Sequence, residues 1–213
     1  MSTAASLNWL ELDRSPHAVQ FYSGDDFLLE SLARFVGSAL EAAESALVLA
    51  TEVRRDGLAE RLKARGVATD RLVKKGRYVI ADAVQVLAQL TVDGELDKTR
   101  FDEFIREVVL PLRAAAESNP QRVAVCGEAV SMLWANGKAE AAIELEHFWN
   151  ELAAQGCYSF RCYYPIASFS DPEQNELFMK LCAEHASVIP PESQLRNIAV
   201  RVNQFESHRM AAN

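Results

Sequence analysis

Glu128 is the residue of this chain best placed to do chemistry. An apolar run, residues 123–126, stops at Gly127 and Glu128, and a helical pattern follows. In an α/β sheet, ligands bind just beyond the carboxyl ends of the strands. A carboxylate there can anchor a ligand or, with a pKa raised in a dry pocket, act as a base. The competing reading is a helix cap, since carboxylates favour helix N-termini. Asp82 ends another short strand, residues 76–82, in the same way. Trp134, Phe148 and Trp149 lie near Glu128 in sequence. They read either as core packing or as an aromatic wall for an apolar ligand.

Other chemistry is sparse. Cys182 and His185 stand three apart on one helical face, and Cys162 could join them as metal ligands. Without CxxC spacing, buried core residues are the better reading. His17 and His147 are isolated and read as hydrogen-bonded structural histidines. There is no GxSxG, HExxH or GxGxxG. The first strand is followed by Tyr22-Ser23-Gly24-Asp25-Asp26, where a nucleotide-binding domain would carry its phosphate loop. That loop needs glycines and a lysine. Here one glycine, no lysine and two carboxylates oppose a triphosphate, so P-loop hydrolysis is not expected. Holding a nucleotide without turnover would need a metal ion bridging Asp25 or Asp82 to the phosphates. The expectation is a non-enzymatic protein with no cofactor and no resident metal.

The elements that must position these residues follow from periodicity. Residues 17–22, 46–50, 76–82, 122–126 and 158–164 read as strands, and the continuous apolar run 46–50 suits a strand covered on both faces. Helices are expected between them. One carries Leu28, Leu32, Phe35, Val36 and Leu40, and a polar one runs to Arg65 with Gly66 as its stop. A short helix spans 83–90, and a loop, 91–97, holds Asp93-Gly94. A helix opened by Thr99 and Asp102 is kinked by Pro111. Another helix carries Glu146, Trp149, Asn150 and Glu151, and a capping box at 170–173 starts the helix of Leu177, Phe178 and Leu181. Residues 188–191 break the chain, and a last helix runs from Gln194 to Phe205. The alternation predicts an α/β fold with a mainly parallel central sheet of about five or more strands and helices on both faces. The expected division is a flexible N-terminus (1–15), one domain (16–191) and a C-terminal helix or tail (192–213).

Composition bounds the function. The 213 residues carry 49% hydrophobic and 24% charged residues with a net charge of −8, and the pI is about 5.1. That balance argues against a nucleic-acid footprint or adsorption to acidic lipid. No run of eighteen apolar residues and no signal-peptide pattern occurs. Four cysteines without CxxC spacing fit a reduced, cytoplasmic setting.

An ordered series of residues resembles the MEDS domain, the sensory domain named from methanogens, methylotrophs and the dichloromethane-dehalogenase repressor DcmR. It comprises His17 before Phe21-Tyr22, Gly127-Glu128, Leu133-Trp134, Leu145-Glu146, Trp149-Asn150-Glu151-Leu152, Tyr164-Pro165, and His185 with Val188-Ile189-Pro190. The resemblance covers residues 16–191. It implies a RecA/KaiC-type core without a working phosphate loop and a sensory role, perceiving small hydrocarbon derivatives and feeding signalling or transcription. His17, Tyr22, Glu128, Trp149 and His185 match the recurring pattern. With Asp25 and Asp82 they are the candidate ligand-binding residues. Ala129 stands where the family often has Met. No fused helix-turn-helix or kinase is expected, so action through a separate regulator is implied. The expected partners are a small-molecule ligand, a signalling protein such as a histidine kinase or transcription regulator, or a second copy of the chain. The alternative is a degenerate nucleotide-binding module without hydrolysis.

Overall fold

Each apolar run becomes a strand of one sheet. The computed structural model describes residues 15–194. Residues 1–14 and 195–213, which carry most of the expected N-terminal segment and final helix, lie outside the described residues. The first half runs β1 (His17–Tyr22), α1 (Asp25–Glu41), β2 (Ser45–Ala50), α2 (Glu52–Ala64), α3 (Thr69–Lys74), β3 (Tyr78–Asp82) and α4 (Ala83–Leu90). A hairpin, β4 (Thr91–Val92) and β5 (Glu95–Leu96), leads to α5 (Lys98–Phe104), a π-helical stretch (Ile105–Val109) and α6 (Leu110–Ala114). Then come β6 (Val123–Gly127), α7 (Ala129–Ala135), α8 (Ala139–Ala153), β7 (Tyr158–Pro165), α9 (Asn175–Ala183) and β8 (Ser187–Ile189).

Six strands form one sheet in the order β3-β2-β6-β7-β1-β8, and every pair in it is parallel. β1 and β2 are buried at every position, because helices cover both faces. On one face α1 and α2 pack Leu28, Leu32, Phe35, Leu58 and Leu62 against Val48, Ala50 and Cys126. On the other, α4 to α9 pack Leu90, Phe104, Trp134, Leu145, Trp149 and Leu181 against Val19, Leu47, Val125 and Phe160.

Several local readings change. Residues 91–97 form a hairpin rather than a loop, since Asp93 and Gly94 both take positive φ (51° and 86°), as a tight two-residue turn requires. The helix expected to open at Thr99 is capped by Asp97, whose Oδ1 accepts from Arg100 N at 2.9 Å. Pro111 cannot donate a backbone hydrogen bond, and the helix widens into the π-helical stretch just before it. Residues 188–191 do not simply break the chain: Ser187–Ile189 pair with Ala18–Gln20 as a sixth strand at the sheet edge. Gly66 does stop the polar helix, at φ +80°.

Gly127 fixes where β6 ends. Its chain passes so close to β2 that a Cβ would lie 2.1 Å from Leu49 O, and Glu128 N donates to that same carbonyl at 3.0 Å. Gly127→Ala must therefore move backbone against backbone. The expected loss is about 1–3 kcal/mol, as for overpacking elsewhere, read as a lowered urea midpoint at unchanged m-value.

Candidate functional site

At the carboxyl edge of the sheet the chain's own charges are paired. Glu128 occupies the cap position of α7, yet its side chain makes no cap bond. It crosses to the residue between β2 and α2 instead, accepting from Thr51 N at 2.7 Å and Thr51 Oγ1 at 2.8 Å, and it is ion-paired with Arg54. Arg54 also donates to Tyr22 Oη at 3.0 Å and Asp25 Oδ1 at 3.1 Å. Three expected residues, Tyr22, Asp25 and Glu128, are thus brought together by an arginine that the sequence reading passed over. Burial pushes the Tyr22 hydroxyl up in pKa, against the pull of Arg54. Asp82 stands apart: it caps α4 through Val84 N and Gln85 N and pairs with Arg55 at 3.3 Å. In the turn after β1, Ser23 N donates to the Glu192 carboxylate at 3.0 and 3.2 Å. A carboxylate of the chain therefore occupies the amide of the turn where a phosphate loop would bind its anion.

Trp149 lies below this edge in the core. It packs on Phe101 at 4.8 Å and Phe160 at 5.3 Å between ring centroids. It also borders a cavity of about 20 Å³ with Leu49, Val125 and Cys162. A second cavity, about 10 Å³, lies beside Glu128, Arg54 and Tyr163. Each has room for about one water and none for an organic ligand.

The most unusual chemistry is at the opposite end of β1. His17 begins the strand, Cys162 lies in β7, Glu146 projects from α8, and His185 precedes β8. All four are buried, and one ligand-type atom from each falls within 4.8 Å of the others. His17 Nε2 is 3.2 Å from Glu146 Oε2 and 3.5 Å from Cys162 Sγ, and Cys162 Sγ is 3.0 Å from Glu146 Oε2. The His17 and His185 rings are 4.2 Å apart. His185 Nε2 sits 3.5 Å from Glu146 Oε2, within ion-pair range but making no hydrogen bond. Tyr164 Oη donates to Glu146 Oε1 at 2.8 Å. Burial pushes the Glu146 carboxyl up, but the nearby His185 and His17 outweigh it, holding it well below the usual carboxylate range. Burial works against charge on His185 too, and Glu146 more than offsets it, raising that pKa. Burial and the Glu146 charge keep the Cys162 thiol well above the ordinary range.

Two of these four, His17 and His185, were expected site residues. Cys162 joins His185 as the cysteine spacing allowed, whereas Cys182 is not in the group. Glu146 was missed as a site residue. Its signal is that it shares the buried stripe of α8 with Ala142, Leu145, Trp149 and Ala153, a carboxylate at a core position.

The family described as MEDS, MEthanogen/methylotroph, DcmR Sensory domain, matches residues 16–179. The chain belongs to this family. A comparison with curated proteins found no match. The matched span of the MEDS domain contains His17, Glu146 and Cys162 and ends within α9, before His185 and β8. No helix among the described residues is long and apolar enough to cross a membrane.

Two outcomes follow from this geometry. Glu128→Ala strips acceptors from Thr51 and Arg54 and is expected to cost about 1–3 kcal/mol. Asp25→Ala, at an exposed end of the same network (side chain 73% exposed), should stay within about 0.5 kcal/mol. Urea unfolding of both variants checks the contrast. The thiols should also divide by burial. Cys126, its pKa pushed up to about 12 by burial, and Cys162 should resist DTNB in the native protein at about pH 8, while Cys157 and Cys182 react. Four fast thiols would show that the core opens readily.

Proposed function

We propose that this MEDS domain is a sensory module without turnover of its own, in which a small ligand or a partner protein alters how the buried His17–Glu146–Cys162–His185 centre holds the β8 edge. A separate regulator, a histidine kinase or a transcription regulator, then reads the segment that follows β8. The observation carrying this reading is that residues 185–192 are tied to both ends of β1. At the amino end His185 packs on His17, Ala186 N donates to His17 O at 2.9 Å, and Ser15 Oγ donates to Ser187 Oγ at 3.0 Å. At the carboxyl end Glu192 accepts from Ser23 N. Between them, β8 has only three residues and, among the described residues, pairs with β1 alone. A short edge strand held by a buried polar centre is an element with two accessible arrangements, docked and released. A stimulus shifts such an equilibrium only through different affinity for the two. Against turnover stand a Cys162 thiol held protonated by burial and carboxylates already committed to partners within the fold.

Hydrogen exchange tests the coupling. Glu146→Gln removes the charge that holds His185 and should speed exchange at the amides of residues 186–189 by at least about tenfold, the equivalent of about 1.4 kcal/mol of local opening. The amides of α1 and β2 should be unchanged. Equal protection of β8 in the wild type and the variant would sink the proposal.

A further inference from the structure

The centre at the amino end of β1 has the composition and spacing of a metal site. We propose that His17 Nε2, Glu146 Oε2, Cys162 Sγ and His185 Nε2 are the four ligands of one divalent transition-metal ion of the zinc class. This deepens the reading above by naming the ligand of the same centre, and it rests on that reading only for the consequence at β8.

Spacing is the first argument. Metal–ligand bonds of about 2.0–2.3 Å place tetrahedral ligand atoms about 3.3–3.8 Å apart. The separations here are 3.0, 3.2, 3.5 and 3.5 Å for the Cys162–Glu146, His17–Glu146, His17–Cys162 and His185–Glu146 pairs. The remaining pairs fall within 4.8 Å. Small side-chain shifts would seat an ion without any new cavity. An organic ligand would need space that the adjoining cavity of about 20 Å³ does not offer.

The outer partners are the second argument. Asn150 Nδ2 donates to Glu184 O at 2.6 Å, so its Oδ1 is the atom facing His17 Nδ1, at 3.2 Å. An oxygen acceptor there puts the ring proton on Nδ1 and turns a lone pair at Nε2 inward when the ring is neutral. The Leu181 carbonyl does the same for His185, at 2.8 Å from Nδ1. Tyr164 holds Glu146 Oε1 and so aims Oε2 inward. Metal-ligating histidines and carboxylates are oriented by this kind of outer hydrogen bond. The inner set then consists of three acceptors and one weak thiol donor, and His185 Nε2 is a buried atom with no hydrogen bond. A cation satisfies all four at once.

Charge is the third argument. Two neutral imidazoles, a carboxylate and a thiolate sum to −2, which a divalent ion cancels. The centre then carries no net charge in a place where unbalanced charge is costly. On binding, the Cys162 S–H bond breaks, its electron pair goes to the metal and the proton leaves to solvent; any proton held on Nε2 of His17 or His185 leaves in the same way, so uptake releases protons. Four protein ligands leave no open position for substrate water. That closed arrangement suits a structural or sensing site rather than a catalytic one.

The test uses the full chain, unfolded with a chelator and refolded with or without Zn²⁺ or Co²⁺. We expect one ion bound per chain, a raised Tm, and a thiolate-to-cobalt charge-transfer band that Cys162→Ser removes. Asn150→Ala, which loosens His17, should weaken affinity about 10–100-fold. His147→Ala should change nothing, since its surface contacts with Glu151 and Glu184 lie outside the centre. Far-UV circular dichroism of each metal-free variant confirms folding, and His185→Gln provides a second ligand variant should Cys162→Ser not fold. No uptake by the wild type overturns the proposal, as does uptake with unchanged spectrum and affinity in Cys162→Ser or His185→Gln. Loosening of β8 by Glu146→Gln in metal-free protein, together with no metal uptake, overturns the metal site while leaving the sensory coupling standing.

Discussion

A carboxylate with no solvent exposure stands at the centre of this fold. Glu146 lies on α8 at 0% exposure, where an unpaired charge would be prohibitive. Its compensation comes from four directions: the Tyr164 hydroxyl, the Cys162 thiol and the two histidines. Those partners come from β7, from the start of β1 and from the link into β8. Placing one charge in the core therefore obliges three strands and a helix to meet at one point with defined side-chain directions. Apolar packing alone tolerates sliding and repacking; a buried carboxylate needing every hydrogen bond does not.

The two ends of the sheet differ in consequence. At the carboxyl edge, where α/β folds usually take ligands, Arg54 ties Tyr22, Asp25 and Glu128 together and Glu192 occupies the Ser23 amide. Glu128 and Tyr22 are buried, but Asp25 and part of Arg54 reach water, so the outer end of this network exchanges partners at little expense. At the amino end the groups are dry, and any change in protonation or occupancy must be answered by movement of a neighbour. The neighbour placed to answer is β8, three residues long and, among the described residues, paired only with β1.

Much of the architecture was legible in the sequence because it depends on local pattern. Continuous apolar runs gave the five longer strands, and the spacing of Leu28, Leu32, Phe35 and Leu40 gave the helix that covers one face. Short elements were not legible. β8 is a three-residue strand beside two prolines, and the 91–97 hairpin has two residues per strand, too few for alternation to register. Of the candidate site, the Glu128 region was found because a carboxylate at a strand end is a local signal. Its linker, Arg54, was hidden among the many charges of a polar helix. The buried centre was half visible. His17 and His185 were singled out by resemblance, but His17 meets Glu146 and Cys162 across sequence separations of 129 and 145 residues, which no local pattern encodes. Glu146 alone left a trace, as an acid in an apolar stripe.

That trace has a general physical meaning. A carboxylate in the buried stripe of a helix is unstable unless something cationic or strongly hydrogen-bonding is brought to it. Its presence in a sequence therefore predicts partners before they can be named. In this chain the partners that arrive are histidines and a thiol rather than arginine or lysine. Guanidinium or ammonium would have fixed the charge permanently. Imidazole and thiol are groups whose charge and ligation change with conditions. A fold that needed only a stable core could have used a leucine in place of Glu146. The core is built instead around adjustable groups next to a short edge strand.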